Sequence, residues 1–278
     1  MKPLFDKVSI ECSRLATKTY STSFSLGILF LSKKMRNPIY AIYGFVRFAD
    51  EIVDSFHEYN KKELLDSFRQ ETEKAITDRI SLNPILNSFQ AAVHHYSIRR
   101  EWIDIFLDSM DMDLYQQTYD EENYKKYILG SAEVVGLMCL HVFTEGDQKL
   151  FDDLKPYAMR LGAAFQKVNF LRDVQADNLL LGRNYFPGIG LSNLCGEEKQ
   201  KIEKDIEADF EVALKGIRML PRSSKNGVYL AYYYYRKLFD KIRQLPAEQI
   251  LQQRIRIPGV QKLLLMIQSN LKYRLNIL

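Results

Sequence analysis

AFQKVNFLRDVQAD, residues 164–177, decides how this chain is read. The segment is helical in its periodicity, and at about 100° per residue Gln166, Asn169, Asp173 and Asp177 share one face. A second helical stretch, residues 37–53, leads into the same pattern. There Tyr43, Arg47, Asp50 and Asp54 fall within about 60° of one another, while Ile42, Phe45 and Val53 point elsewhere. Either face alone is the ordinary solvated surface of a helix, because charged pairs at four-residue spacing are common. Two such faces in one chain are a different matter. If they meet, four carboxylates converge, and one like-charged pair at about 4 Å costs about 4 kcal/mol at an effective dielectric of about 20. Such a cluster persists only with cations.

Aspartate and asparagine oxygens without His or Cys select a hard ion, Mg²⁺ with Mn²⁺ as the alternative. Mg²⁺ held by one or two carboxylates completes its shell with water and phosphate oxygens. The implied ligand is a phosphate ester, in particular a diphosphate, and Arg47 and Arg172 supply charge-assisted contacts to it.

The rest of the chain reads as helix. Asn37-Pro38 suggests an N-cap and a first-turn proline. Further helices are expected over residues 61–80, 84–96, 101–117, 122–143, 156–177, 197–220 and 228–244, and from Pro258 onward. The helix over 122–143 has small residues at its middle, Gly130, Ser131, Ala132 and Gly136, and residues 221–227 read as a turn. Residues 182–190, with Gly182, Pro187, Gly188 and Gly190, read as a functional loop. Ser21 and Ser23 have the chemistry of helix caps. No alternation is long enough for a sheet, and no linker divides the chain. The expectation is one all-α domain spanning residues 1–278.

Composition narrows the function. Apolar residues make up 46% of the 278, which excludes a disordered chain. The balance of 39 Lys and Arg against 35 Asp and Glu is too diffuse for nucleic acid, which needs clustered basic residues. Cys12, Cys139 and Cys195 lie far apart with no C-x-x-C pair, so neither a disulfide framework nor a cysteine zinc site is indicated. Asp6, Lys7 and Glu11 stand where a secretion signal needs its apolar run. The apolar stretch 134–143 contains His141 and falls well short of the roughly 20 residues of a membrane span. A cytoplasmic protein is expected, with peripheral contact at the inner membrane face through the C-terminal helix as an option. His94 and His95 are adjacent, so a helix points them about 100° apart and they form no metal pair. Gly188-x-Gly190 lacks the strand and third glycine of a dinucleotide site. Oligomeric state leaves no mark in the sequence.

Asp50-Glu51-Ile52-Val53-Asp54 after Arg47, and Asn169 to Asp177 followed by Gly182-Arg183-Asn184-Tyr185-Phe186-Pro187, resemble the two Asp-rich motifs of the squalene/phytoene synthases. Tyr20-Ser21-Thr22-Ser23-Phe24 is similar to a Ser/Phe segment near that family's N-terminus. Ala132-Glu133-Val134-Val135-Gly136 falls at its pocket-lining Ala-Gly-x-Val-Gly stretch. The resemblance runs in order from about Ser9 to Arg256. It implies an isoprenoid synthase bundle around a central apolar cavity. It also implies head-to-head joining of two prenyl diphosphates with Mg²⁺ through a cyclopropylcarbinyl diphosphate. By resemblance, Asp50, Asp54, Asn169, Asp173 and Asp177 serve the metal–diphosphate centre. Ser21, Phe24, Tyr43, Arg47, Gln166, Arg172, Tyr234 and Arg254 meet the substrate, with Asp50, Asp54, Asp173, Asp177, Tyr43 and Arg47 as the catalytic set. Aromatic faces such as Phe24, Tyr43 and Phe170 are available to a carbocation.

Three departures stand out. Glu51 replaces the second Asp of the first motif, Glu133 replaces a glycine, and Thr22 sits where some members carry a basic residue. The carotenoid branch is indicated by the RNYFP loop: a phytoene synthase, a transferase acting on geranylgeranyl diphosphate and needing no NADPH. Squalene or dehydrosqualene synthesis from farnesyl diphosphate is the alternative. A terpene cyclase fits the second motif poorly. A non-catalytic assembly protein of the same fold would be marked by eroded carboxylates, and all four are present.

Overall fold

Pro38 and Pro156, the residues at which two helices are expected to begin, both lie inside them. The structure, a computed structural model, describes residues 1–116, 118–188, 196–275 and 277. Helix α3 runs Lys33–Ser55 and α9 runs Gln148–Leu181. A proline removes the bond to the carbonyl four residues back. Here those carbonyls belong to Lys34 and Asp152, both exposed, so the sacrifice is made on the solvent side. Gln117, Gly190 and Cys195, named above, lie outside the described residues.

Around these two helices are α1 (Lys2–Tyr20), α2 (Thr22–Leu29), α4 (Lys61–Asp78), α5 (Pro84–Tyr96) and α6 (Arg100–Tyr115). Then come α7 (Glu121–Ile128), a π-helical turn (Leu129–Glu133), α8 (Val134–Thr144), α10 (Gly196–Met219), α11 (Arg222–Arg243), α12 (Ala247–Ile250) and α13 (Gly259–Arg274). Among the described residues there is no strand, only an isolated bridge between Thr118 and Asn184. Residues 222–227, read as a turn, are the first turns of α11. The N-terminal pair α1 and α2 was not anticipated. Ser21 separates them, and its hydroxyl accepts from the Phe24 amide at 3.2 Å, which is the capping role its chemistry suggests.

Helix α9 is the axis of the bundle, packed against α8, the π-helical turn and α10. The small residues at the middle of the expected 122–143 helix explain how closely they approach. A Cβ on Gly162 of α9 would stand 2.6 Å from the Ala132 carbonyl oxygen, inside contact distance. The segment Glu121–Thr144 is long and apolar enough to cross a membrane by length and composition, but most of it is buried inside this bundle. On the far side, Phe45 of α3 stacks on Phe89 at 3.9 Å and meets Phe106 at 5.4 Å, fixing α3 against α5 and α6.

Helices α2, α3, α8, α9, α10 and α11 enclose a cavity of about 450 Å³. Ile39 and Leu154, near the starts of α3 and α9, form its apolar floor with Leu31 and Leu220; Asp50, Asn169 and Arg172 line the other end. Both helices therefore run from floor to mouth, and both put the negative end of the helix dipole there. Neither has a basic residue in its last turn to offset it.

Candidate active site

The cavity wall ends at Asp50 on α3 and at Asn169 and Arg172 on α9, and the next helical turns carry Asp54, Asp173 and Asp177. Arginines meet three of the four carboxylates. Arg47 donates to Asp50 at 2.6 Å and to Glu51, with its guanidinium 4.4 Å from the Tyr20 ring centre. Glu51, the departure in the first motif, thus steadies Arg47 rather than facing the second motif. Arg172 grips Asp173 with two nitrogens, Nε at 2.9 Å, and Arg254 reaches the same carboxylate at 2.7 Å. Arg183 donates to Asp54 at 2.8 Å.

The two acidic faces do meet electrostatically. Burial, then the neighbouring Asp54, pushes the Asp50 carboxyl up to about 7. Its side chain still keeps 37% of its surface, because it faces the cavity rather than protein. Burial, then Asp173 and Asp54, pushes Asp177 up to about 8. Among the described residues no three carboxylate, imidazole or thiolate groups form a ready-made metal cage. The donor set nevertheless fits Mg²⁺ brought in with a diphosphate. It is all oxygen, its carboxyls on the two helices raise one another, and Arg47 Nε is a buried donor with no partner.

These shifts carry a sign that can be measured. In the unfolded chain both carboxyls ionise near their ordinary value of about 3.9. Between there and pH 7–8 the folded state holds more protons, so stability falls as pH rises across that interval and stops falling above about pH 8. His141, lowered to about 4 by burial, acts oppositely but only below its ordinary value of about 6.5. The melting temperature of metal-free protein is expected to fall between about pH 6.5 and 8 and to level off above. Asp177→Asn should flatten the drop, and so should Mg²⁺ with inorganic diphosphate. An equal slope in all three samples would contradict it.

Just inside the mouth lies an aromatic box. Phe24 stands 5.7 Å from Tyr43, 6.2 Å from Phe165 and 5.8 Å from Tyr235, and Phe165 stacks on Tyr235 at 4.0 Å. Burial pushes the Tyr43 phenol up to about 12 although Ser21 hydrogen-bonds it, so it stays protonated. Tyr235 donates to Asn169 at 3.2 Å, and the Asn169 amide donates to Gln166 at 3.4 Å.

Two of the expected aromatic positions are corrected. Tyr235, not Tyr234, lines the cavity. One residue along α11 is about 100° of rotation, which turns Tyr234 aside to meet Tyr235 edge-on, with Lys262 Nζ 5.6 Å from its ring. Phe170 also faces away from the cavity, stacked on Tyr185 at 4.1 Å. The other departures find places too. Glu133 lies in the π-helical turn outside the cavity wall, where burial and then Arg160 govern its carboxyl. Lys262 donates to Thr22 at 2.6 Å, so α13 brings a basic residue to the third departure. His94 bonds the Ile76 carbonyl at 2.7 Å, a structural role.

Behind the first acidic pair lies a cluster the sequence did not announce. Asp113, buried on α6, accepts from Tyr127 at 2.6 Å, Tyr119 at 3.1 Å and Tyr185 at 3.2 Å. Arg183, only 6% exposed, binds the Val53 and Asp113 carbonyls at 3.2 and 2.9 Å as well as Asp54. Gly182, with φ of 65°, ends α9 by turning the chain in a way a side chain would resist. The Arg183 amide then returns to the Asp177 carbonyl at 2.9 Å. The segment after the second motif is thereby latched to the end of the first.

An all-α bundle with an apolar cavity opening on two acidic helix ends is the isoprenoid synthase architecture. Among solved structures, the chain superposes on a dehydrosqualene synthase with a TM-score of 0.83 at 19% identity, covering 97% of this chain and 98% of that one. It superposes on squalene synthase HpnC of Alicyclobacillus acidocaldarius with a TM-score of 0.75 at 21% identity, covering 87% and 95%. In sequence it is 30% identical to a chloroplastic phytoene synthase of Narcissus pseudonarcissus over 87% of this chain, spanning 60% of that protein's length. It is 28% identical to the 15-cis-phytoene synthase of Synechocystis sp. over 91% of this chain and 82% of that one. The squalene/phytoene synthase family model matches residues 17–261. The chain belongs to the squalene/phytoene synthase family.

Proposed function

We propose that the protein joins two molecules of geranylgeranyl diphosphate head to head, releases both diphosphates and yields phytoene without a reductant. The observation that carries this is a single cavity with an apolar floor and a mouth of arginines and carboxylates. That combination matches an amphiphile with a hydrocarbon tail and a diphosphate head. Relatives named phytoene synthases support the choice of substrate.

Asp50, Asp54, Asn169, Asp173 and Asp177 would hold Mg²⁺, and Mg²⁺ when bound supplies charge neutralisation for the departing diphosphate. Arg47, Arg172 and Arg254 pair with carboxylates here, and their guanidinium groups at the mouth would also reach the phosphate oxygens of a bound diphosphate. Protonated Tyr43 donates to the leaving oxygen, held by Ser21. Phe24, Phe165 and Tyr235 present ring faces to the allylic cation, each contributing about 0.5–2 kcal/mol. The apolar wall keeps water away from it. Cys139, in that wall, is pushed up to about 12 by burial and offers no thiolate to trap the cation.

Farnesyl diphosphate as substrate is favoured by the fold match to a dehydrosqualene synthase and by 23% identity to a 4,4'-diapophytoene synthase of Staphylococcus haemolyticus. Purified protein with Mg²⁺ and each substrate, with and without NADPH, separates the readings. Phytoene from geranylgeranyl diphosphate without NADPH is the expected product. Squalene or dehydrosqualene from farnesyl diphosphate alone would move the protein to the other branch. No hydrocarbon from either, with folded protein, would favour a non-catalytic role.

A further inference from the structure

The last helix has two apolar sides and buries only one. Helix α13 packs on α11 through the side centred on buried Ser269, with Leu265 and Tyr273 half-buried beside it. At about 100° per residue the opposite side carries Val260, Leu263, Leu264, Ile267, Leu271 and Leu275 within an arc of about 120°. All six are 48–75% exposed. A helix on the outside of a bundle ordinarily turns a polar face to water.

Charge is segregated in the same place. Residues 249–278 contain Arg254, Arg256, Lys262, Lys272 and Arg274 and no Asp or Glu, although acidic and basic residues nearly balance in the whole chain. The helix also starts at the cavity mouth. Arg254 lines the cavity and pairs with Asp173, and Lys262 bonds Thr22, the neighbour of Ser21 in the cavity wall.

We propose that α13 is an interfacial helix that docks the cavity mouth on an anionic lipid surface. The apolar stripe enters the boundary between headgroups and acyl chains, and the basic residues meet the anionic headgroups. A second copy of the chain fits worse, because facing stripes would bring like charges together. The use of such docking rests on the prenyl diphosphate reading, since substrate and hydrocarbon product both partition into lipid. The docking itself does not depend on it.

The test is sedimentation of the full chain with phosphatidylcholine vesicles, with and without phosphatidylglycerol. Binding to the anionic vesicles alone is expected, weakening as salt is raised. The variant L264Q/I267Q/L271Q should partition at least about tenfold less, as loss of buried apolar area requires, with melting temperature unchanged. Should it melt lower, K272Q/R274Q replaces only exposed charges and should still reduce binding to anionic vesicles. Equal binding of wild type and both variants would overturn the proposal. So would absence of vesicle binding by the wild type, including the case in which it self-associates instead. A failed product assay leaves each of these outcomes readable.

Discussion

Asp54→Asn and Asp173→Asn are each expected to lower turnover by about a thousandfold or more, which is about 4 kcal/mol of transition-state stabilisation. Helical circular dichroism should be unchanged. Both carboxylates stand at the mouth, one per acidic helix, and neither belongs to the cavity wall. Asp54→Asn costs Arg183 one of its contacts, but the Val53 and Asp113 carbonyls still hold it. Asp173→Asn keeps an amide oxygen for Arg172 and for Arg254, whose side chain is itself half exposed. The fold therefore survives either change while a charge required by the metal is gone. Steady-state turnover with Mg²⁺ checks this, and near-normal rates in both variants would remove the metal–diphosphate centre from consideration.

The second large effect falls on stability. Arg183→Met strips the partner from Asp54 and from buried Asp113 at once, and it takes a donor from the Asp113 carbonyl and from the Val53 carbonyl, which keeps only Lys61. Breaking a buried ion pair from one side costs about 3–5 kcal/mol, because the remaining charge is stranded. Asp113 is raised to about 6 by burial even with Arg183 beside it, and losing Arg183 pushes it further toward the protonated form. The double variant Arg183→Met/Asp113→Asn should therefore recover part of the loss. Urea unfolding of the two variants measures this. A cost below about 1 kcal/mol for Arg183→Met, the range of a surface ion pair, would show that the latch is not under load.

Much of the site was legible in the sequence because its parts repeat at helical spacing. Tyr43, Arg47 and Asp50 on one helix face and Gln166 and Asn169 on the other line the same cavity. What was not legible lies between helices. Asp113 has no partner on α6; Tyr119, Tyr127 and Tyr185 reach it from three other places in the chain, and no local pattern marks such a meeting. Lys262 reaches Thr22 across 240 residues for the same reason. The prolines show a different limit. Pro38 and Pro156 carry a strong local preference for a helix start, and burial of Met35 and Phe151 ahead of them overrides it. In the run of four tyrosines at 232–235, a one-residue difference in register decides which ring lines the cavity, and only the packing of α11 settles it.

The most direct measurement is calorimetric titration of the protein with an unreactive prenyl thiodiphosphate, in Mg²⁺ and in EDTA, repeated with Asp54→Asn. Binding that requires Mg²⁺ and is lost in the variant is the expected result. Equal affinity in Mg²⁺ and EDTA would contradict a metal–diphosphate centre between the two acidic helix ends.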